Sequence, residues 1–194
     1  MIPIFWYNDI TNMEHIEYEE RVMISKGDYN KVIDHIKKEK LSYKESFILN
    51  VYLDNASGFI YKNKMMIRIR TTNGKDTELT LKIKNKDGSN REINETLNKH
   101  PLIDKELEGN FNEYHEVAKL ITERIEIEKE DYLFVLDKNI YHGKIDYDIE
   151  IEANSQQKAY EILKMYCDKY NLKYKENYKT KSHRAITQAM RNKK

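Results

Sequence analysis

HIEYEERVMI, the run from His15 to Ile24, sets Glu17, Glu19 and Arg21 at every second place, with apolar Ile16, Tyr18 and Val22 between them. In a β-strand successive side chains point to opposite faces, so two carboxylates and a guanidinium share one face and the apolar set takes the other. Either these charges sit in water on a half-exposed strand, or the strand lines a polar cavity built to hold something charged. The rest of the chain decides between the two.

The same period of two recurs. FILNVYLDN (47–55), KNKMMIRIRT (62–71) and DTELTLKIKN (76–85) alternate, with NASG and TNGK between them as turn chemistry, and predict an antiparallel meander. TERIEIEKE (122–130), YLFVLDKN (132–139) and KIDYDIEIEA (144–153) predict three more strands. Between the two groups, NEYHEVAKLIT (112–122) carries apolar residues at helical spacing and predicts a helix. A helix also follows the first strand in SKGDYNKVIDHIKKEK, where Ser25 is placed to cap it and Asp28 completes a capping-box pattern. Two helices close the chain, SQQKAYEILKMYCDKYN (155–171) and one beginning near Ser182. About eight strands, nearly all antiparallel to sequence neighbours, predict an α+β fold: a closed or nearly closed eight-stranded antiparallel barrel with helices packed outside.

The polar faces are segregated by sign. Arg68 and Arg70 share a face on one middle strand, and Glu78, Thr80, Lys82 and Lys84 on the next, while Asp146, Asp148, Glu150 and Glu152 share a face late in the chain. If helices cover the apolar outer face, these polar faces turn inward. An empty interior so charged is very costly, so a ligand, water or a metal has to occupy it.

Composition narrows the possibilities. At 194 residues the chain suits one domain, 1–194, with its core at about 15–190, and 15 Tyr with 5 Phe argue for a packed core. Lys plus Arg (34) nearly cancels Asp plus Glu (33), so no net field draws the chain to nucleic acid or to anionic membranes. The single Cys167 lies on the apolar face of a predicted helix and excludes an intrachain disulfide. Neither a signal-like leader nor an apolar run of about 20 residues occurs, which predicts a cytoplasmic protein. The six His form no clustered metal motif, and no GxxxxGK[ST] loop occurs.

In order along the chain, the motifs resemble those of the CYTH family, the triphosphate tunnel metalloenzymes that include class IV adenylyl cyclases and thiamine triphosphatases. The family's E-x-E-x-K strand is matched by Glu17 and Glu19, with Arg21 where Lys is expected. N-x-Y-x-D follows as Asn50, Tyr52 and Asp54, R-x-R as Arg68 and Arg70, and T-L-K as Thr80, Leu81 and Lys82. Arg124, the pair Glu150 and Glu152, and a basic segment with Lys179, Lys181 and Arg184 complete the series.

The resemblance implies an eight-stranded tunnel and metal-dependent hydrolysis of a triphosphate, whether inorganic, nucleoside or thiamine triphosphate, in the manner of the short bacterial members. It implies Glu17, Glu19, Glu150 and Glu152 as ligands for Mg²⁺ or Mn²⁺, and Arg68, Arg70, Lys82, Arg124, Lys181 and Arg184 as the phosphate cradle. Glu17, Glu19 and Arg21 are the expected catalytic strand. The residue types suit these roles, since hard oxygens hold such ions and planar guanidinium forks grip phosphate oxygens. Two other readings stand beside hydrolysis: cyclisation of ATP to cyclic AMP, and non-catalytic binding of polyphosphate or a nucleotide. Asp137 is either an acid behind the ligands or a turn former.

Overall fold

The computed structural model describes residues 13–85, 89–97, 113–174 and 179–192, with only the backbone of 13–17. The strands are β1 (Met13–Ile24), β2 (Lys44–Asn55), β3 (Met65–Thr72), β4 (Asp76–Lys84), β5 (Asn90–Leu97), β6 (Tyr114–Glu128), β7 (Tyr132–Tyr141) and β8 (Lys144–Ala153). The helices among these residues are α1 (Lys26–Lys38), α2 (Phe59–Lys62), α3 (Gln156–Tyr170) and α4 (Lys181–Asn192). The strands close into a barrel in the order β1-β5-β4-β3-β2-β6-β7-β8, every pairing antiparallel. β1 makes the closure by dividing itself: Met13–Glu17 pair with β5 and Tyr18–Ile24 with β8.

Two of the hairpins have turns whose central residues are both left-handed, Asn73 (φ 53°) with Gly74 (φ 70°) and His142 (φ 46°) with Gly143 (φ 78°). That backbone matches the twist of the flanking strands and sets the registers of β3 with β4 and of β7 with β8. The Ser25 hydroxyl accepts from the Asp28 amide and caps α1, and Ser155 caps α3 in the same way.

The helix expected over 112–122 does not form. Its described part is the first half of β6, a 15-residue strand paired along β2 from Asn55↔Tyr114 to Lys44↔Glu126. Tyr114, Val117, Ala118 and Ile121 fit a helical stripe, but Ala118, Leu120, Thr122 and Arg124 also alternate, and those four are the buried ones. Pairing with β2 overrides the local preference. β5, in NREINETL, is a strand that the periodicity reading passed over.

The apolar faces point outward, as expected. Val22, Ile125, Ile127, Phe134, Leu136, Ile149 and Ile151 meet α1 through Tyr29, Val32 and Ile36, and α3 through Ala159, Leu163, Tyr166 and Cys167. Val51, Leu53, Ile67, Ile69, Leu79 and Leu81 form a second outer cluster with Ile60 of α2. α4 is placed differently. Its Ala185, Ile186 and Ala189 pack on Tyr52, Ala118, Leu120 and Tyr141, which belong to the inward-facing set, so α4 fills one end of the barrel. No helix among the described residues is long and apolar enough to cross a membrane.

Phe134, 1% exposed, anchors the seam between the barrel and α3, whereas Phe47 is 51% exposed. Phe134→Ala is expected to lower unfolding free energy by about 3–5 kcal/mol and Phe47→Ala by less than about 0.5 kcal/mol, as read by urea denaturation. Equal losses would contradict the inside-out arrangement.

Candidate active site

The inward faces of the strands enclose a cavity of about 870 Å³ that runs from the middle of the barrel to the α4 end. Register decides which charges meet. Glu19 lies directly across from Glu152 and Arg21 across from Glu150 on β8, while Arg68 and Arg70 face Tyr52 and Asn50 on β2. The cavity is therefore lined by acids on the β1–β8 side and by guanidinium groups on β3.

The acidic wall is the more deeply buried. Asp137, Asp148 and Glu150 are 0–2% exposed, and their carboxylates each bring an oxygen within 4.8 Å of the others. Four cations neutralise them. Arg124 grips Asp137 with two hydrogen bonds of 3.0 and 2.9 Å and reaches Glu150 at 3.3 Å. Arg21 pairs with Glu150, and Lys181 with both Asp137 and Glu150. Arg184 pairs with Asp148 and reaches Asp146 at 3.1 Å. Burial by itself would raise the Asp137 carboxyl, but Arg124 and Lys181 pull it down to about 2. Arg124 is in turn held above the ordinary arginine value, chiefly by Asp137 against the effect of burial.

The basic wall is less well compensated. Glu92 on β5 accepts from Lys82 at 2.7 Å and lies 3.8 Å from Arg68, and these cations bring its carboxyl down to about 2 despite burial. Glu78 is shared by Arg68 at 4.0 Å and Arg70 at 3.7 Å. The Arg70 Nε donates to Asn50 Oδ1 at 3.1 Å, a neutral partner. Burial and the neighbouring Arg68 and Arg124 push Arg70 down to about 9. A guanidinium so destabilised is a place where a bound anion is favoured.

Of the residues expected from the sequence, Glu19, Arg21, Arg68, Arg70, Lys82, Arg124, Glu150, Glu152 and Lys181 all line the one cavity. Arg184 does not, being held behind α4 by Asp146 and Asp148. The Glu17 side chain lies outside the described residues. Sequence reasoning passed over Glu92, placed Glu78 on the polar face of its strand without giving it a role, and left Asp137 open. The alternation Asn90, Glu92, Asn94 around Arg91 and Ile93 was the available sign for Glu92.

A divalent ion is best suited to the Glu19 and Glu152 side. Lys82 and Arg21, at 3.6 and 3.5 Å, hold Glu19 well below the usual carboxylate range against the effect of burial, so it stays an oxygen donor. Glu19 and Glu152 are cross-strand neighbours, so their carboxylates are placed to share one ion. Oxygen donors of this kind fit Mg²⁺ or Mn²⁺. At the Asp137, Asp148 and Glu150 cluster the Lys181 ammonium is already present, 3.6 Å from Asp148 Oδ1 and paired with the other two.

The CYTH domain model matches residues 15–183. Curated proteins yield no match. Among solved structures, a candidate adenylate cyclase of Bacillus halodurans aligns with a TM-score of 0.73 at 22% identity, over 88% of this chain and 97% of that one. A candidate adenylyl cyclase from Hippeastrum, described as having a dominant triphosphatase activity, aligns at 0.67 and 18% identity, over 89% and 95%. The PH1819 protein of Pyrococcus horikoshii aligns at 0.65 and 19%, over 92% and 99%. At these identities the likeness establishes the tunnel fold.

The two walls respond differently to loss of charge. Arg124→Ala takes two hydrogen bonds from the buried Asp137 and leaves it Lys181 alone, and is expected to lower stability by about 3–5 kcal/mol, whereas Arg70→Ala should leave the melting temperature unchanged or higher. Asp137 and Glu92 titrate below their unfolded values of 3.8 and 4.5, so their stabilisation is complete above that range. It is expected to be lost as pH falls from about 4.5 to 2, which acid denaturation followed by circular dichroism measures.

Proposed function

The chain belongs to the CYTH domain family, and from that premise we propose that it is a Mg²⁺- or Mn²⁺-dependent triphosphatase acting on a triphosphate held in the tunnel. The observation that carries this reading is the polarity of the cavity. Arg68 and Arg70 share the partly exposed Glu78, and the Glu92 that Arg68 also reaches is already bonded by Lys82, so positive charge exceeds negative on the β3 side, while Glu19 and Glu152 stand on the opposite side. A polyanion bridged to a divalent cation fills both needs at once. A simple anion or a simple cation fills only one.

In this reading Arg68 and Arg70 fork onto phosphate oxygens, and Lys82, already beside Glu19 and Glu92, adds a point charge between the walls. Glu19 and Glu152 hold the metal. A divalent ion held there would supply Lewis-acid stabilisation of the charge on the phosphoryl group under attack. Glu19 is too weak a base to take a proton from water, given its depressed pKa, so its part is that of a charged oxygen ligand. Arg21, a guanidinium with donors and no acceptor, serves as a fixed charge on the acidic wall. Arg124, behind it, fixes Asp137 and Glu150. No side chain needs to form a covalent phosphoenzyme.

Incubation of the pure protein with inorganic triphosphate, ATP and thiamine triphosphate, with Mg²⁺, with Mn²⁺ and with chelator, should release orthophosphate only when metal is present. Cyclic AMP and pyrophosphate in place of phosphate would replace this reading with a cyclase. Tight triphosphate binding without turnover would leave a binding protein. Glu19→Gln is expected to lower kcat by about 10²-fold or more and to shift the metal titration to higher concentration, with the melting temperature retained.

A further inference from the structure

A second cavity lies against the outside of the barrel, between α1 and the first half of β2. It encloses about 470 Å³, a volume suited to a small organic ligand, and of the residues that line it only Arg124 also lines the tunnel. α1 contributes Tyr29, Ile33 and Ile36, and the sheet contributes Glu45 and Phe47 of β2 with Glu123 and Ile125 of β6. The register pairs Glu45 with Ile125 and Phe47 with Glu123, so carboxylates stand on one diagonal of the floor and apolar groups on the other. Phe47 is held in this place by the β3–β4 turn: its amide donates to Asn73 Oδ1 at 2.9 Å and its carbonyl accepts from the Asn73 amide at 2.8 Å. It is nevertheless exposed, as is Tyr43 beside the cavity.

The groups at the floor call for a cation. Tyr29 is 8% exposed and makes no hydrogen bond among the described residues, so its hydroxyl is a buried polar group in want of a partner. Burial, and after it the negative charges of Glu123, Asp137 and Glu45, push that hydroxyl up to about 12. The charges that bear most on it are therefore carboxylates, although the exposed Lys37 also borders the cavity. Glu123 already accepts from Lys138 at 2.8 and 3.0 Å, whereas Glu45 makes no ion pair among the described residues. Phe47 and Tyr43 add aromatic faces, on which an ammonium ion rests favourably.

We propose that this groove is a second ligand site, for a small primary ammonium ion bearing an apolar or aromatic group. The ammonium donates to the Glu45 carboxylate and to the Tyr29 hydroxyl oxygen and rests against the Phe47 ring, while the apolar group covers Ile33, Ile36 and Ile125. A neutral molecule leaves Glu45 without a counter-charge, and an anion meets carboxylates on both strands. The site is independent of the triphosphatase reading.

Calorimetric titration with phenethylammonium chloride and with its neutral isostere 2-phenylethanol tests it. The ammonium probe is expected to bind with a dissociation constant below about 1 mM, and the alcohol at least about tenfold more weakly. Glu45→Gln and Phe47→Ala, both at exposed positions where folding should be undisturbed, are each expected to weaken the ammonium probe about tenfold. Tyr29→Phe removes only the hydroxyl and should weaken it about threefold. Glu19→Gln, in the tunnel, should leave this affinity within about twofold. Binding lost in Glu19→Gln but kept in Glu45→Gln would place the cation on the acidic wall instead and overturn the site. Equal affinity for the two probes, or no saturable heat up to about 10 mM, would overturn it as well.

Discussion

Charge inside a barrel has to be matched within it, and the ion pairs between α4 and the acids of β7 and β8 meet that requirement here. Asp137, Asp148 and Glu150 are almost fully buried, and three unpaired carboxylates in such a place would either protonate or open the barrel. Lys181 and Arg184 arrive from α4, 31 to 44 residues away for Lys181 and 36 or 38 for Arg184, to supply two of the counter-charges. Arg21 and Arg124 supply the others from β1 and β6. The acidic wall can therefore exist without ligand, and the end of the barrel is closed by the same contacts. Packing of Ala185, Ile186 and Ala189 on Tyr52 and Leu120 brings the two cations into place.

The basic wall follows the opposite rule. Among the described residues only Glu92 is fully committed to it, through Lys82 and Arg68, and Glu78 is divided between two arginines. Burial and the neighbouring Arg68 and Arg124 disfavour the charge on Arg70. In the proposed reading a bound anion offsets that cost. The Asp137, Asp148 and Glu150 cluster is thus neutralised within the folded chain, whereas in the proposed reading the β3 wall is completed by the triphosphate. That asymmetry follows from where α4 docks, because among the described residues no helix carries acids to β3.

Much of this could be read from the sequence, for a definite reason. On β1, β3, β4 and β8 most inward positions are polar and most outward ones apolar, so the period of two reports both the strand and its faces. The match to CYTH motifs rests on the same positions. The reading failed where two periods coincide. From Tyr114 to Thr122 the residues satisfy a helical stripe and an alternating one equally, and only the β2 ladder selects between them. β5 was missed because Asn90, Glu92 and Asn94 alternate with a charged residue as well as an apolar one. The partners of Lys181 and Arg184 could not be read at all. The segment looks like a phosphate-binding tail, and nothing local in it tells that Arg184 is spoken for by Asp146 and Asp148.

Arg21, which departs from the family's lysine, becomes intelligible through that acidic wall. It stands across the β1–β8 register from Glu150, pairs with it, and also lies 3.5 Å from Glu19 on its own strand. A planar guanidinium can give one edge to Glu150 and still present an N–H toward Glu19, whereas an ammonium is a single point charge. Glu150 is reached as well by Arg124 and Lys181, so its two oxygens are crowded with donors, and fixed directions matter more there than reach. The substitution thus strengthens the scaffold that orients Glu19. A proton-accepting role has no place in this arrangement, because a guanidinium offers donors and no acceptor.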